Sequence, residues 1–324
     1  MRLLIRKFVF DRYVKKGLCS MLSLLLFFTA LAGVRAEEAP PLDAEGFLSE
    51  AYGQDEYVKI SPEEGVWMYL SSELSVTIRQ FRQIDPALVW YESEIKVRGD
   101  TRLQSYLTPG SKPGKRMISP IKLSRDNQLV FAISDDYFSR RLNDGHTQGI
   151  IIRGGEVLSN ETFKADHASL PNLEVIARFN DGSLKTFLSN AHTAEEYLSM
   201  GVTDTFAFGP ILVSEGKLGP HMRETDYYYY REPRCAIGMI APNHYIILTV
   251  TGRTDDSRGE HFNWLAERMI ALGATEALNL DGGGTAALLF MGDMINKSNT
   301  SKTIRGVGSL IGFGTSPAAT GSDK

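Results

Sequence analysis

From residue 66 onward, apolar and polar positions follow the short period of strands more than the longer period of helices. Residues 66–70, 75–81 and 88–95 are rich in β-branched and aromatic side chains, alternate in part, and predict an N-terminal sheet. Residues 129–133 are wholly apolar, which suits a strand buried on both faces. Gly154 and Gly155 mark a tight turn between two short strands, and Asn180-Asp181-Gly182-Ser183 marks another after residues 173–179. Residues 206–213 read as a strand that turns at residues 214–217. Residues 245–250, 278–280 and 305–313 complete the strands, and Ala286 opens a further apolar element that runs to Phe290. Two helices are expected. Thr193 and Glu196 form a capping box that Gly201 closes, and residues 260–272 place Phe262, Leu265, Met269 and Leu272 on one side before Gly273. Strand, helix, strand over residues 245–280 predicts a crossover with Arg253 and Asp281 at the same end of neighbouring parallel strands. The fold class is α+β: a mixed β-sheet core with few helices.

The ends of the chain follow a different pattern. Arg2, Arg6, Lys7, Arg12, Lys15 and Lys16 precede an apolar run over residues 18–34, and Val34-Arg35-Ala36 fits a signal-peptidase site, so residues 1–36 read as a signal peptide. An uncleaved anchor is the alternative; either way the remainder is expected to be exported, to the periplasm or beyond, with membrane contact only through such an anchor. Residues 37–65 read as a surface lead-in, 66–128 as a strand-rich region, 129–314 as the main domain, which the resemblance described below makes the catalytic one, and 315–324 as a disordered tail. Residues 107–116, with two Pro-Gly pairs, form a long loop that either connects strands or covers a site.

Losing residues 1–36 removes seven basic side chains and one acidic one, moving the formal charge from −4 to −10. An acidic chain without basic tracts excludes nucleic acid as a partner. Cys19 would leave with the leader, so Cys235 has no intrachain partner and reads as a buried, inert thiol.

The candidate chemistry centres on Ala277-Leu278-Asn279-Leu280-Asp281-Gly282-Gly283-Gly284-Thr285. Three glycines inside an apolar run permit positive φ and bring main-chain N–H groups close to an oxyanion. A tight turn capped by Asp281 is the plainer reading, and both stand open on the motif alone. It matches neither the dinucleotide nor the NTP-binding glycine pattern. A second place of interest is the end of the apolar strand, Ser134-Asp135-Asp136-Tyr137-Phe138. There two adjacent carboxylates are either solvated or pushed apart in pKa by burial.

Residues 252–284 resemble the phosphodiester glycosidase family, the bacterial relatives of the enzyme that uncovers mannose 6-phosphate by removing N-acetylglucosamine. The quoted Asn279-Leu280-Asp281-Gly282-Gly283-Gly284 carries most of the likeness. Asp136, Tyr137 and Phe138, Phe208-Gly209-Pro210, Pro233-Arg234-Cys235-Ala236-Ile237-Gly238, Asn296 and Arg305 extend it from about residue 129 to 313. Ser134, Asp135, Cys235, Thr251 and Thr285 depart from the pattern, where the family carries Asn, Gly, Thr, Asp and Ser. The resemblance implies an exported hydrolase acting on a sugar-1-phosphodiester or phosphorylated glycan. Asp281 and Asp136 would take the acid–base roles. Arg234, Arg253, Gly282, Gly283, Gly284, Thr285, Asn296, Arg305 and Tyr137 would hold the substrate.

No cofactor is required by this reading, although oxygen-rich loops of this kind would also suit a hard divalent cation, Ca²⁺ or Mg²⁺. Arg234 has a structural ion-pair reading beside its phosphate reading, and the tyrosines at 227–230 a packing role beside a sugar-stacking one. His221 and His261 are the two histidines worth following. A second class of function stays open, a non-catalytic envelope protein that binds phosphoglycan during exopolysaccharide or cell-wall assembly.

Overall fold

The computed structural model describes residues 39–110, 116–136, 149–161, 173–222, 230–297 and 304–322. The expected leader and Tyr137 lie outside the described residues. In chain order the strands are β1 (Glu56–Ser61), β2 (Val66–Ser71), β3 (Leu74–Gln83), β4 (Leu88–Val97), β5 (Leu103–Leu107), β6 (Leu129–Ser134), β7 (Gly149–Arg153), β8 (Glu156–Glu161), β9 (Glu174–Phe179) and β10 (Leu184–Phe187). They continue as β11 (Val202–Phe208), β12 (Ile211–Ser214), β13 (Lys217–Leu218), β14 (Arg234–Ala241), β15 (His244–Val250), β16 (Glu276–Asn279), β17 (Leu288–Phe290), β18 (Asp293–Met294) and β19 (Ser309–Thr315). The helices are α1 (Pro120–Asp126), α2 (Ala194–Ser199) and α3 (Phe262–Ala271).

Three sheets result. The largest has nine strands in the order β1-β2-β3-β4-β15-β14-β16-β12-β13; the others are β10-β9-β11-β7-β8 and β18-β17-β6-β19-β5. The first four strands form a meander because alternation is strict where it matters: Leu74, Val76 and Ile78 point inward while Ser75 and Thr77 do not. β4 then pairs with β15, so the N-terminal strands extend the same sheet that carries the glycine motif.

Ile78, Ile95, Ile237, Ile247 and Leu278 on one face of the large sheet pack against Phe131, Ile133, Ile311 and Phe313 of the β6-containing sheet. Its other face is covered by α3 through Phe262, Leu265, Ala266 and Met269. The third sheet adds Ile176 and Phe206 to the main core, and on its far side packs α2 through Ala194 and Tyr197. Thr193 caps α2 with the reciprocal Glu196 bond that the sequence predicts.

Several expectations are corrected. The α+β class holds broadly, with strands predominating, but every ladder among the described strands is antiparallel, so the sheet is not mixed. β15 and β16 do run parallel, but β14 lies between them and takes both sets of hydrogen bonds. The lead-in holds a strand, β1, because Tyr57 is buried against Leu48 and Leu70. The strand expected over 206–213 is two strands broken at Gly209-Pro210, which belong to different sheets. Residues beyond Thr315 are docked: Ser316 N–H donates to Gln128 O at 3.0 Å, Gly321 N–H to Met291 O at 2.9 Å, and Ala319 is buried in the main core.

Candidate active site

The insertion of β14 decides the geometry of the site. β14 begins at Arg234 opposite Val250, the last residue of β15, and Ala236 pairs with Asn279, the last residue of β16. Arg234, Gly252-Arg253 and Asp281 therefore emerge at one end of the nine-stranded sheet. From there residues 280–287 cross to β17 in a different sheet, so the glycine motif is a bridge between two layers.

The bridge needs glycine because main chain presses on main chain. A β-carbon at Gly282 would sit 2.7 Å from Pro233 O, and one at Gly252 would sit 2.8 Å from Pro233 N. Gly259, at φ +87, would meet the Glu232 backbone at 2.4 Å. The segment Glu232-Pro233-Arg234 thus runs between three glycines. Gly283 takes φ +58 and its N–H donates to Pro233 O at 2.8 Å. That amide is spent on the protein, so a cradle of three open N–H groups is not what the loop presents.

Guanidinium groups cover the loop instead. Arg253, itself at φ +58, places Nη2 3.4 Å from a β-carbon built on Gly283, and Arg305 places Cζ and Nη2 3.0 Å from one built on Gly284. Positive φ at a long, non-glycine side chain marks a backbone held by its surroundings. Arg253 Nε also donates to Glu232 Oε2 at 2.6 Å, while both side chains stay partly exposed. Arg234 is different. It is 6% exposed, lies 3.8 Å over the Phe262 ring, and donates to Tyr230 O at 2.8 Å and Glu260 O at 3.2 Å.

Asp281 is partly exposed. Thr285 Oγ1 lies 2.6 Å from both Asp281 Oδ2 and Gly282 O, so its single proton serves one of them at a time. The Asp281 N–H donates to Asp135 O at 3.2 Å. Asn296 is buried and holds main chain: Nδ2 donates to Ala286 O at 2.9 Å and Oδ1 accepts from Leu288 N–H at 2.7 Å. Ser134, where the family resemblance expects Asn, donates to Thr285 O and accepts from Ala287 N–H, both at 2.8 Å. It stitches the end of β6 to the bridge.

Asp136 is buried. Its Oδ1 accepts from Arg153 Nη2 at 2.6 Å and its Oδ2 from Ala207 N–H at 2.6 Å. Asp135 accepts from Arg153 Nη2 at 3.2 Å, from the Asp136 N–H at 2.6 Å and from the Ser105 hydroxyl. Burial pushes the Asp135 carboxyl up, but the charge of Arg153 and these hydrogen bonds outweigh it and hold the group below its ordinary value. Burial likewise opposes the charge on Arg153, and Asp135, Asp136 and Asp204 overcome it. Asp135 is absent from the described non-glycine residues at positive φ, so it takes the family's glycine position without a left-handed backbone.

A family model described as phosphodiester glycosidase matches residues 127–314. The chain belongs to that family. The match takes in Asp136, Arg234, Arg253, Asp281 and Arg305 and begins after β5. The uncharacterized protein YomE, SPbeta prophage-derived, of Bacillus subtilis (strain 168) is 28% identical over 157 residues, 48% of this chain and 23% of that protein. The chain thus covers about a quarter of that relative's length. Among solved structures, the zebrafish N-acetylglucosamine-1-phosphodiester alpha-N-acetylglucosaminidase catalytic domain, auto-inhibited by its pro-peptide, superposes with a TM-score of 0.56 at 16% identity, over 80% of this chain and 88% of that one. A hypothetical protein from Synechocystis gives 0.53 at 13% identity, over 76% and 63%. At these identities the two structures speak to fold.

The other candidate residues fall as follows. Cys235 is fully buried, burial pushes its thiol up to about 12, and it stays protonated. His261 caps α3, accepting from Trp264 N–H at 3.2 Å, and His221 lies 3.7 Å from the buried Glu174 carboxylate. Tyr230 is exposed and lends its carbonyl to Arg234; its three neighbours lie outside the described residues. Among the described residues no cluster of three acidic, histidine or cysteine side chains is arranged to hold a metal ion. Arg153 and Glu232 were not singled out from the sequence. Arg153 was legible in principle, because an arginine that closes Ile150-Ile151-Ile152 must find a carboxylate once that strand is buried.

Proposed function

We propose that this member of the family is an exported hydrolase that releases a sugar from a sugar-1-phosphodiester. The observation that carries the reading is the pair of guanidinium groups, Arg253 and Arg305, drawn over Gly283 and Gly284 of the loop that the partly exposed Asp281 opens. In the reaction, water oxygen bonds to the anomeric carbon while the bond from that carbon to the phosphate oxygen breaks. The electron pair leaves with the phosphate monoester, and one water proton goes to a base. A phosphate leaving group carries its charge without being protonated, so cations matter more than an acid at that oxygen. Arg253 and Arg305 bind the phosphate, with Arg234 adding positive charge behind the loop. Asp281 is the proton acceptor, oriented by Thr285. Asp136 serves as an anchor rather than an acid or base, since Arg153 and the Ala207 amide occupy both of its oxygens. Asn296 and Ser134 hold the main chain of the bridge. Export rests on the basic and apolar pattern of residues 1–36.

The zebrafish enzyme named above acts on N-acetylglucosamine-1-phosphodiester, so a substrate panel starts with that sugar. The test is turnover of chromogenic sugar-1-phosphodiesters by the purified protein, with Asp281→Asn losing turnover and keeping substrate binding. A wild-type protein that binds the panel but turns over none of it would replace this reading with the phosphoglycan-binding one.

A further inference from the structure

Arg153 stands at the end of β7, in a different sheet from both the glycine bridge and β6, and its side chain is 6% exposed. The terminal nitrogens of its guanidinium make directed contacts. Nη2 reaches Asp135 Oδ1 at 3.2 Å and Asp136 Oδ1 at 2.6 Å, Nη1 donates to Ile152 O and Thr205 O, and Cζ lies 4.6 Å over the Phe206 ring. A buried arginine commonly does no more than neutralise buried acids. Here the acids belong to the end of β6, whose main chain carries the site: Asp135 O accepts the Asp281 N–H, and Ser134, one residue earlier, ties Thr285 and Ala287. Without the cation, two adjacent buried carboxylates would repel each other at that point.

We infer that Arg153 is a positioning residue for the reaction: it pins the Asp135-Asp136 end of β6, and through the Asp135 carbonyl it fixes where Asp281 meets the substrate. This rests on the function proposed above. It assigns catalytic geometry to a junction of three sheets, with one arginine from the third sheet as the tie.

A loose tie misplaces Asp281 without touching Arg253 or Arg305. Arg153→Lys keeps the charge and loses the fork, so kcat on a sugar-1-phosphodiester should fall about 10- to 100-fold, the scale of a misplacement on the order of 1 Å, with KM within about twofold. Amide hydrogen exchange gives a readout independent of turnover, in which the Asp281 N–H exchanges faster in the variant. Should Arg153→Lys not fold, Phe206→Leu keeps the arginine and loosens its seat, with the same signature at smaller amplitude. A folded variant with wild-type kcat, KM and Asp281 amide protection overturns the inference. If the wild type hydrolyses no diester, the proposed function falls by itself; amide protection unchanged by Arg153→Lys would then overturn the positioning claim as well.

Discussion

The guanidinium of Arg305 rests so close on Gly284 that a β-carbon at that glycine would lie 3.0 Å from Cζ and Nη2. The glycine is there for the arginine. Because the obstacle is the far end of a flexible, exposed side chain, Gly284→Ala should leave Tm nearly unchanged and push Arg305 aside. Losing one charge-assisted contact, worth about 1.5–3 kcal/mol, should raise KM roughly tenfold or more. Steady-state kinetics beside a thermal melt would check this, and an unchanged KM would remove Arg305 from the phosphate site.

Gly282 makes the opposite case. Its missing β-carbon faces Pro233 O at 2.7 Å, a backbone atom that also accepts the Gly283 N–H and cannot swing away. Gly282→Ala should therefore cost about 1–3 kcal/mol of stability through overpacking and lower kcat as well, because the bridge must shift. The two alanine variants, two residues apart, should separate in a melt: Gly282→Ala low, Gly284→Ala near wild type.

Much of this was legible in the sequence, and what was not has physical causes. Alternation at Val76 and Ile78, the Thr193 capping box and the turn glycines 154 and 155 are local signals, and the strands and α2 follow them. The convergence of Arg253 and Asp281 at one sheet end was also legible. That β14 would slip between β15 and β16 was not, since its residues are as apolar as either neighbour's and ladder partners are chosen by the whole sheet. The amide of Gly283 looked open because its acceptor, Pro233 O, lies 50 residues back in the chain. Asp136 read as an acid–base candidate for a similar reason: Arg153 and Ala207, its partners, belong to another sheet. Residues 315–324 read as a tail because small residues without periodicity give no strand or helix signal, yet Ala319 fills a place in the core.

The Asp135 carboxyl supplies a pH prediction. Its folded value lies below the ordinary 3.8, so it adds stability above the unfolded value and loses that contribution as pH falls through the folded value. Tm of the wild type should then drop more steeply below roughly pH 4, near the unfolded carboxylate value, than Tm of Asp135→Asn, which has no such proton to take up. Melts from pH 5 downward on both proteins would decide it. Parallel curves would mean that Arg153 does not hold Asp135 charged.

Thr285 offers the cleanest separation of orientation from binding. Its hydroxyl lies 2.6 Å from Asp281 Oδ2, the residue is 4% exposed, and its backbone carbonyl is held independently by Ser134. Thr285→Val keeps the shape and removes the donor, so Asp281 loses a contact that orients it while Arg253 and Arg305 stay in place. The loss of one hydrogen bond to a carboxylate, about 1.5–3 kcal/mol, should appear in kcat as a fall of roughly tenfold or more with KM within about twofold. Thr285→Ser, which keeps a hydroxyl at this position, should retain most of the rate. If Thr285→Val instead raises KM at constant kcat, the hydroxyl contacts the substrate rather than the carboxylate, and Asp281 owes its orientation to another group.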